Sequence, residues 1–121
     1  MVKDIIIGDK TVKMKATAGT PRLYRIYFRR DIFVDLQNLQ ADVDENNPEN
    51  SNISIESLEI FENVAYIMAK QGAELAPDFP KIEEWLDSFD MFSIYEVLPQ
   101  ILELWGENIA TSSNSKKKIG K

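Results

Sequence analysis

An α+β fold, in which an N-terminal β-hairpin packs on a bundle of four or five short α-helices, is what this sequence predicts on three observations. Residues 3–16 alternate apolar and polar side chains around Gly8-Asp9. Four later segments carry apolar residues at helical spacing. The 121 residues are 44% hydrophobic and hold no cysteine, a size and composition that build one core without disulfide or metal support.

The hairpin runs Lys3–Ile7 and Lys10–Ala16, where Val12, Met14 and Ala16 alternate with Lys13 and Lys15. Glycine in the first turn position suits a two-residue type II′ turn. An isolated hairpin is marginal in water, so its apolar face must lie on helices or pair with another strand. Thr20 then reads as an N-cap with Pro21 at the first helical position. Leu23, Tyr24, Tyr27, Phe28, Ile32, Leu36 and Leu39 place a helix over about 21–41, with Arg29-Arg30-Asp31 as a candidate break and Asp31 as a second N-cap.

Residues 42–52 lack periodicity and read as a surface loop. Ser54 caps the next helix, over 54–71. Ile53 and Leu58 form a hydrophobic staple, the stripe runs through Ile55, Leu58, Phe61, Val64, Ala65 and Met68, and Gly72 stands at C′. After Pro77 and Pro80, the positions of Ile82, Trp85, Leu86 and Phe89 give a helix over 80–89. A Ser93/Glu96 capping box opens the last helix, over 93–109, through Ile94, Leu98, Ile101, Trp105 and Ile109. Pro99 should kink or split it. Residues 111–121 are polar and lysine-rich, an expected disordered tail beyond a single domain over 1–110.

Composition removes whole classes of chemistry. With no histidine and no cysteine, the usual zinc sites, thiol chemistry, Ser-His-Asp triads and imidazole catalysis are excluded; neither enzyme activity nor a cofactor is expected. Glu83, Glu84 and Asp87 share a helical turn but read as a solvated acidic face. Asp42, Asp44, Glu45 and Glu49 lack the glycine and terminal glutamate of a calcium loop. Asp87-Ser88-Phe89 is similar to the Asp-Ser-Leu attachment site of acyl carrier proteins, but there the serine begins a helix, whereas Ser88 falls deep inside a predicted one. No apolar run approaches the 18 or so residues that span a bilayer, so no membrane contact and a cytosolic location are expected.

Charge is segregated along the chain. Residues 1–30 hold eight basic and two acidic groups, a net of +6; residues 31–115 hold two lysines against 18 carboxylates, a net of −16; four lysines close the chain, for −6 overall. An acidic body is repelled by phosphate, which argues against nucleic-acid binding. Opposed charges on one molecule instead favour contacts between protein surfaces, copies of itself included. The candidate contact residues are the aromatic group Trp85, Phe89, Phe92, Tyr95 and Trp105 and the basic group Lys13, Lys15, Arg22, Arg25 and Arg29. On two short helices, one interrupted by proline, part of the aromatic group is expected to form an exposed apolar anchor.

Thr17-Ala18-Gly19-Thr20-Pro21-Arg22 followed by Tyr24, Arg25, Phe28 and Asp31 resembles the start of the tail assembly chaperones of long-tailed bacteriophages, of the kind found in phages and prophages of Gram-positive bacteria. Ala65-Tyr66-Ile67-Met68-Ala69-Lys70-Gln71, Ile82-Glu83-Glu84-Trp85-Leu86-Asp87 with Phe89, and Ile101-Leu102-Glu103-Leu104-Trp105 resemble that family's later blocks in the same order. One departure is Arg29, where the resemblance leads one to expect a glycine; this favours a continuous or gently bent first helix.

The resemblance implies a non-enzymatic factor, working in the cytoplasm of the bacterial host and absent from the mature virion, that keeps a tape-measure protein soluble until tail-tube protein assembles around it. Many copies per client, and a homo-oligomer, are expected. The alternative is a small acidic helical adaptor or regulator binding one host protein at fixed stoichiometry. Family members are often made in two lengths by frameshifting, and Lys116-Lys117-Lys118 fits a slippery A-rich element. Consecutive A-stretches are therefore expected over codons 116–118 of the gene; a synonymous run lacking them removes the idea.

Overall fold

The computed structural model, which describes residues 1–43 and 53–106, begins with the expected hairpin. Strands β1 (Val2–Ile7) and β2 (Lys10–Lys15) pair antiparallel from Val2 opposite Lys15 to Ile7 opposite Lys10. Gly8 alone in the two-residue turn takes a left-handed φ, 61°, as the first position of a type II′ turn requires. Ile5, Ile7, Met14 and Ala16 face inward and are buried, while Ile6 and Lys13 between them are exposed. The loop expected over 42–52 and the tail expected over 111–121 lie outside the described residues, except for Asp42, the last residue of a helix, and Val43, its extended C-cap.

Five helices follow: α1 (Thr20–Phe28), α2 (Ile32–Asp42), α3 (Ile55–Gly72), α4 (Ile82–Asp87) and α5 (94–106). The cap of α1 is Gly19, one residue before the expected Thr20. Thr20 has a different task. Its hydroxyl accepts from Thr17 N and donates to Gln71 Oε1, and Gln71 Nε2 donates to Thr17 Oγ1 at 2.9 Å. This closed polar ring is buried, so satisfying it internally avoids a desolvation cost of about 1–3 kcal/mol per group.

The single helix expected over 21–41 is in fact two. Arg29 ends α1 in a left-handed conformation, φ 59° and ψ 36°, although it is not glycine. Asp31 caps α2 as expected, accepting from Phe33 N at 2.8 Å. Ser54 likewise caps α3, accepting from Ser57 N. The stripe begins later than its spacing implied: Ile55 is 85% exposed and Leu58 is exposed too, whereas every residue from Val64 to Ala69 is buried. Burial all round a helix marks a central element, and α3 packs against β2, α1, α2 and α4.

Gly72 is the last residue of α3 rather than the residue beyond it; Glu74 and Leu75 supply the left-handed turn that follows. Glycine is needed here for space. A Cβ on Gly72 would lie 2.1 Å from the Lys13 carbonyl oxygen, so α3 meets β2 backbone to backbone. Helix α4 is shorter than the expected 80–89, and Ser88 caps its end, donating to Trp85 O at 2.6 Å rather than lying within a helix.

Pro99 does not split α5, which is helical without interruption from 94 to 106. The missing amide costs about 3 kcal/mol, but Val97, Leu98, Ile101 and Leu104 are sealed in the core on both sides of it, each stabilising by roughly 2 kcal/mol. The Ser93/Glu96 capping box does not form: Glu96 Oε1 accepts instead from Gly8 N at 2.8 Å. One turn on, Gln100 accepts from Ile6 N at 2.8 Å and donates to Ile6 O at 2.9 Å, and Glu103 pairs with Lys3 at 2.9 Å. Glu96, Gln100 and Glu103 thus form one face of α5 fastened along β1. Among the described residues, no helix is long and apolar enough to cross a membrane.

Alanine is the better helix former by about 1 kcal/mol, so Gly72→Ala would stabilise an open helix. Here it is expected to destabilise by about 3 kcal/mol, because β2 must move away. A urea unfolding midpoint that is unchanged or raised would refute the close approach.

Candidate partner-binding surface

The structure separates the five aromatic residues singled out from sequence. Trp85 and Trp105 are each only 5% exposed, so the expected exposed anchor does not include them. Trp85 packs edge-on to Tyr66, Phe89 and Phe92, with Phe92 stacked on Phe61. The short helices suffice because α3 contributes Tyr66 and Phe61, and Phe79 closes the cluster against Tyr66. Phe89 and Phe92 are partly buried; Trp105 lies elsewhere, against Phe33 of α2 at 5.3 Å. Only Tyr95 of the five is exposed, at 41%.

Of the basic residues, Lys15 reaches Glu74 at 3.4 Å, an exposed pair worth little. Lys13, Arg22, Arg25 and Arg29 are exposed, and none of these four has a carboxylate partner among the described residues. Arg22 and Arg25 stand at i and i+3 on one side of α1, and Arg29, the residue that ends it, lines a groove together with Arg25. Tyr27, expected on the core face, is exposed at 48%, with Lys70 Nζ over its ring at 5.4 Å.

What turns this side outward is the break after Phe28. Asp35 is buried and accepts three hydrogen bonds, from Tyr24 Oη at 2.6 Å and from Arg30 Nε and NH2 at 2.7 and 2.9 Å. The fork-to-fork geometry fixes Arg30, and Arg30 inward forces its neighbour Arg29 through the left-handed region, a strain of order 1 kcal/mol. Burial opposes the Asp35 charge, but the Arg30 and Tyr24 hydrogen bonds outweigh it and hold this carboxyl below its ordinary range. Burial and then the Asp35 hydrogen bond push the Tyr24 hydroxyl up. The Asp35 hydrogen bond raises the Arg30 guanidinium.

The break also exposes apolar surface that the helical stripe does not include. Ile26, Phe33 and Val34 are 56%, 52% and 50% exposed. Phe33 divides two grooves. One, of about 410 Å³, is lined by Arg25, Arg29 and Ile32 among others; the second, of about 450 Å³ between α2 and α5, by Leu36, Leu102 and Trp105. The signal was in the sequence: Ile26, Phe33 and Val34 are large apolar residues left off the periodic face of the first helical segment. The acidic cluster Asp42, Asp44, Glu45 and Glu49 lies outside the described residues except for Asp42, which accepts from Ser57 Oγ. Comparisons with known protein families, with curated sequences and with solved structures find no match.

Asp35 contributes stability that is complete above the ordinary carboxylate range and is lost as pH falls through its lowered folded value. Arg30→Met leaves a buried carboxylate without its cation and is expected to cost about 3 kcal/mol at neutral pH. Burial would then raise the Asp35 value, so acidification should stabilise the variant where it destabilises the parent. Urea unfolding of both proteins at pH 7 and pH 4 reads the reversal; parallel pH profiles would refute it.

Proposed function

We propose that this chain is a tail assembly chaperone of the long-tailed phage type, a non-enzymatic factor that coats and solubilises the tape-measure protein and helps recruit tail-tube subunits. The ordered blocks from Thr17 to Trp105 support the family reading. The observation that carries the mode of action is the α1–α2 surface, where Ile26, Tyr27, Phe33 and Val34 are each about half exposed and Arg22, Arg25 and Arg29 have no carboxylate partner among the described residues. Four large apolar side chains exposed on two adjoining helices of so small a protein mark a contact surface. A tape-measure protein is a long helical chain with apolar stripes, and a small acidic coat would both cover those stripes and repel neighbouring coated clients.

Co-expression with the very long helical protein encoded beside this chain is the direct measurement. The client is expected mainly in the pellet when made alone and mainly in the soluble fraction, co-purifying with the chaperone, when both are made. A client that stays insoluble beside abundant soluble chaperone would overturn the proposal.

A further inference from the structure

We infer that the exposed side of α1 and the first turn of α2 is the surface that takes the client, and that the client segment it takes is an amphipathic helix whose apolar stripe is flanked by carboxylates. The inference rests on the chaperone reading and adds the surface and the chemistry of what docks there.

Charge selects the occupant. Among the described residues, Arg30 alone of the four arginines pairs with carboxylates, Asp35 and Glu56. Arg22 and Arg25 stand one turn apart on α1, about 4.5 Å along its axis, and Arg25 shares the lining of one groove with Arg29. A helix running alongside presents carboxylates at a spacing of three and four residues, and a guanidinium meets a carboxylate with two parallel hydrogen bonds. A phosphate backbone would meet the same arginines but also an acidic molecule of net charge −6, which disfavours nucleic acid there.

Shape supplies the rest. Ile26 is exposed next to Arg25 in the chain, and Phe33, at the start of α2, lines the groove that Arg25 and Arg29 rim. The two grooves open on either side of Phe33, so successive apolar side chains of a docked helix would straddle its ring: one groove is rimmed by Arg25 and Arg29, the other floored by Leu36, Leu102 and Trp105. Apolar contact would hold the partner and the arginines would set its orientation, the division of labour usual where exposed charges rim an apolar patch.

The test uses the full chain and two fluorescent synthetic helices that share a leucine–phenylalanine stripe, one flanked by glutamates at i, i+4 and i+7, the other by lysines. In anisotropy titrations the glutamate peptide should bind and the lysine peptide should bind at least tenfold more weakly. Arg22→Glu/Arg25→Glu and, separately, Phe33→Ser should each weaken the glutamate peptide about tenfold or more. Lys10→Glu/Lys81→Glu, with the same net charge as the first variant, should leave it within twofold. Circular dichroism checks that each variant is folded, and all five positions are exposed. Equal binding of both peptides, or equal loss in the two charge variants, overturns the inference. So does light scattering that shows wild-type oligomers dissolved by Arg22→Glu/Arg25→Glu, since a second copy would then own the surface. If that variant still solubilises the co-expressed client, the surface assignment fails while the chaperone reading stands; if the wild type does not solubilise it, the chaperone reading itself fails.

Discussion

The path of the chain around α1 and α2 depends on one ion pair, between the buried carboxylate of Asp35 and the half-exposed guanidinium of Arg30. Asp35 sits in the interior with Tyr24 and the fork of Arg30 as its hydrogen-bond partners, and a carboxylate there is tolerable only while all of them are in place. Reaching Asp35 draws Arg30 inward, puts Arg29 into a left-handed conformation and restarts the helix at Ile32 under the Asp31 cap. Across the break, Phe33 and Val34 in the first turn of α2 are exposed, as Ile26 is on α1. A local electrostatic requirement thus shapes a surface several residues away.

A second constraint sets the position of α3. Its end approaches the hairpin so closely that Gly72 touches the backbone of β2, and one residue earlier Gln71 closes the polar ring with Thr17 and Thr20. Hairpin, first helix and central helix are therefore registered to one another at one place. At the other end of α3, Ser57 donates to Asp42, which sets where α2 ends. Between these ties the packing is almost entirely apolar, and the sealed side chains from Ile60 to Ala69 form the floor on which the Trp85 cluster rests.

Local signals in the sequence were read well where they are local in fact. Gly8, Asp31 and Ser54 each act through atoms two or three residues away, so turn and capping chemistry located them. Signals whose partners are distant were misread. Arg29 lacks the glycine that usually marks a left-handed break, and its conformation is imposed by Asp35, six positions on. Gly72 looked like a helix terminator but answers to Lys13, far away in sequence. The two tryptophans looked too large for short helices to cover because the residues that cover them, Tyr66, Phe61 and Phe33, belong to other elements. For the candidate surface, the arginine pair on α1 was legible as spacing, whereas Ile26, Phe33 and Val34 could be recognised only as what the apolar stripe leaves over.

The amide of Gln100 satisfies both backbone groups that Ile6 turns away from its partner strand, and the carboxylate of Glu96 accepts from Gly8 N. A two-stranded ribbon would otherwise offer that margin to any extended chain nearby, its own copies first. Side chains of a helix thus stand in for a third strand, and an invading segment would have to break paired bonds before it could form its own. This protein can therefore accumulate in a crowded cell without stacking into cross-β fibres through its first strand, and assembly with like or unlike chains is left to its helices.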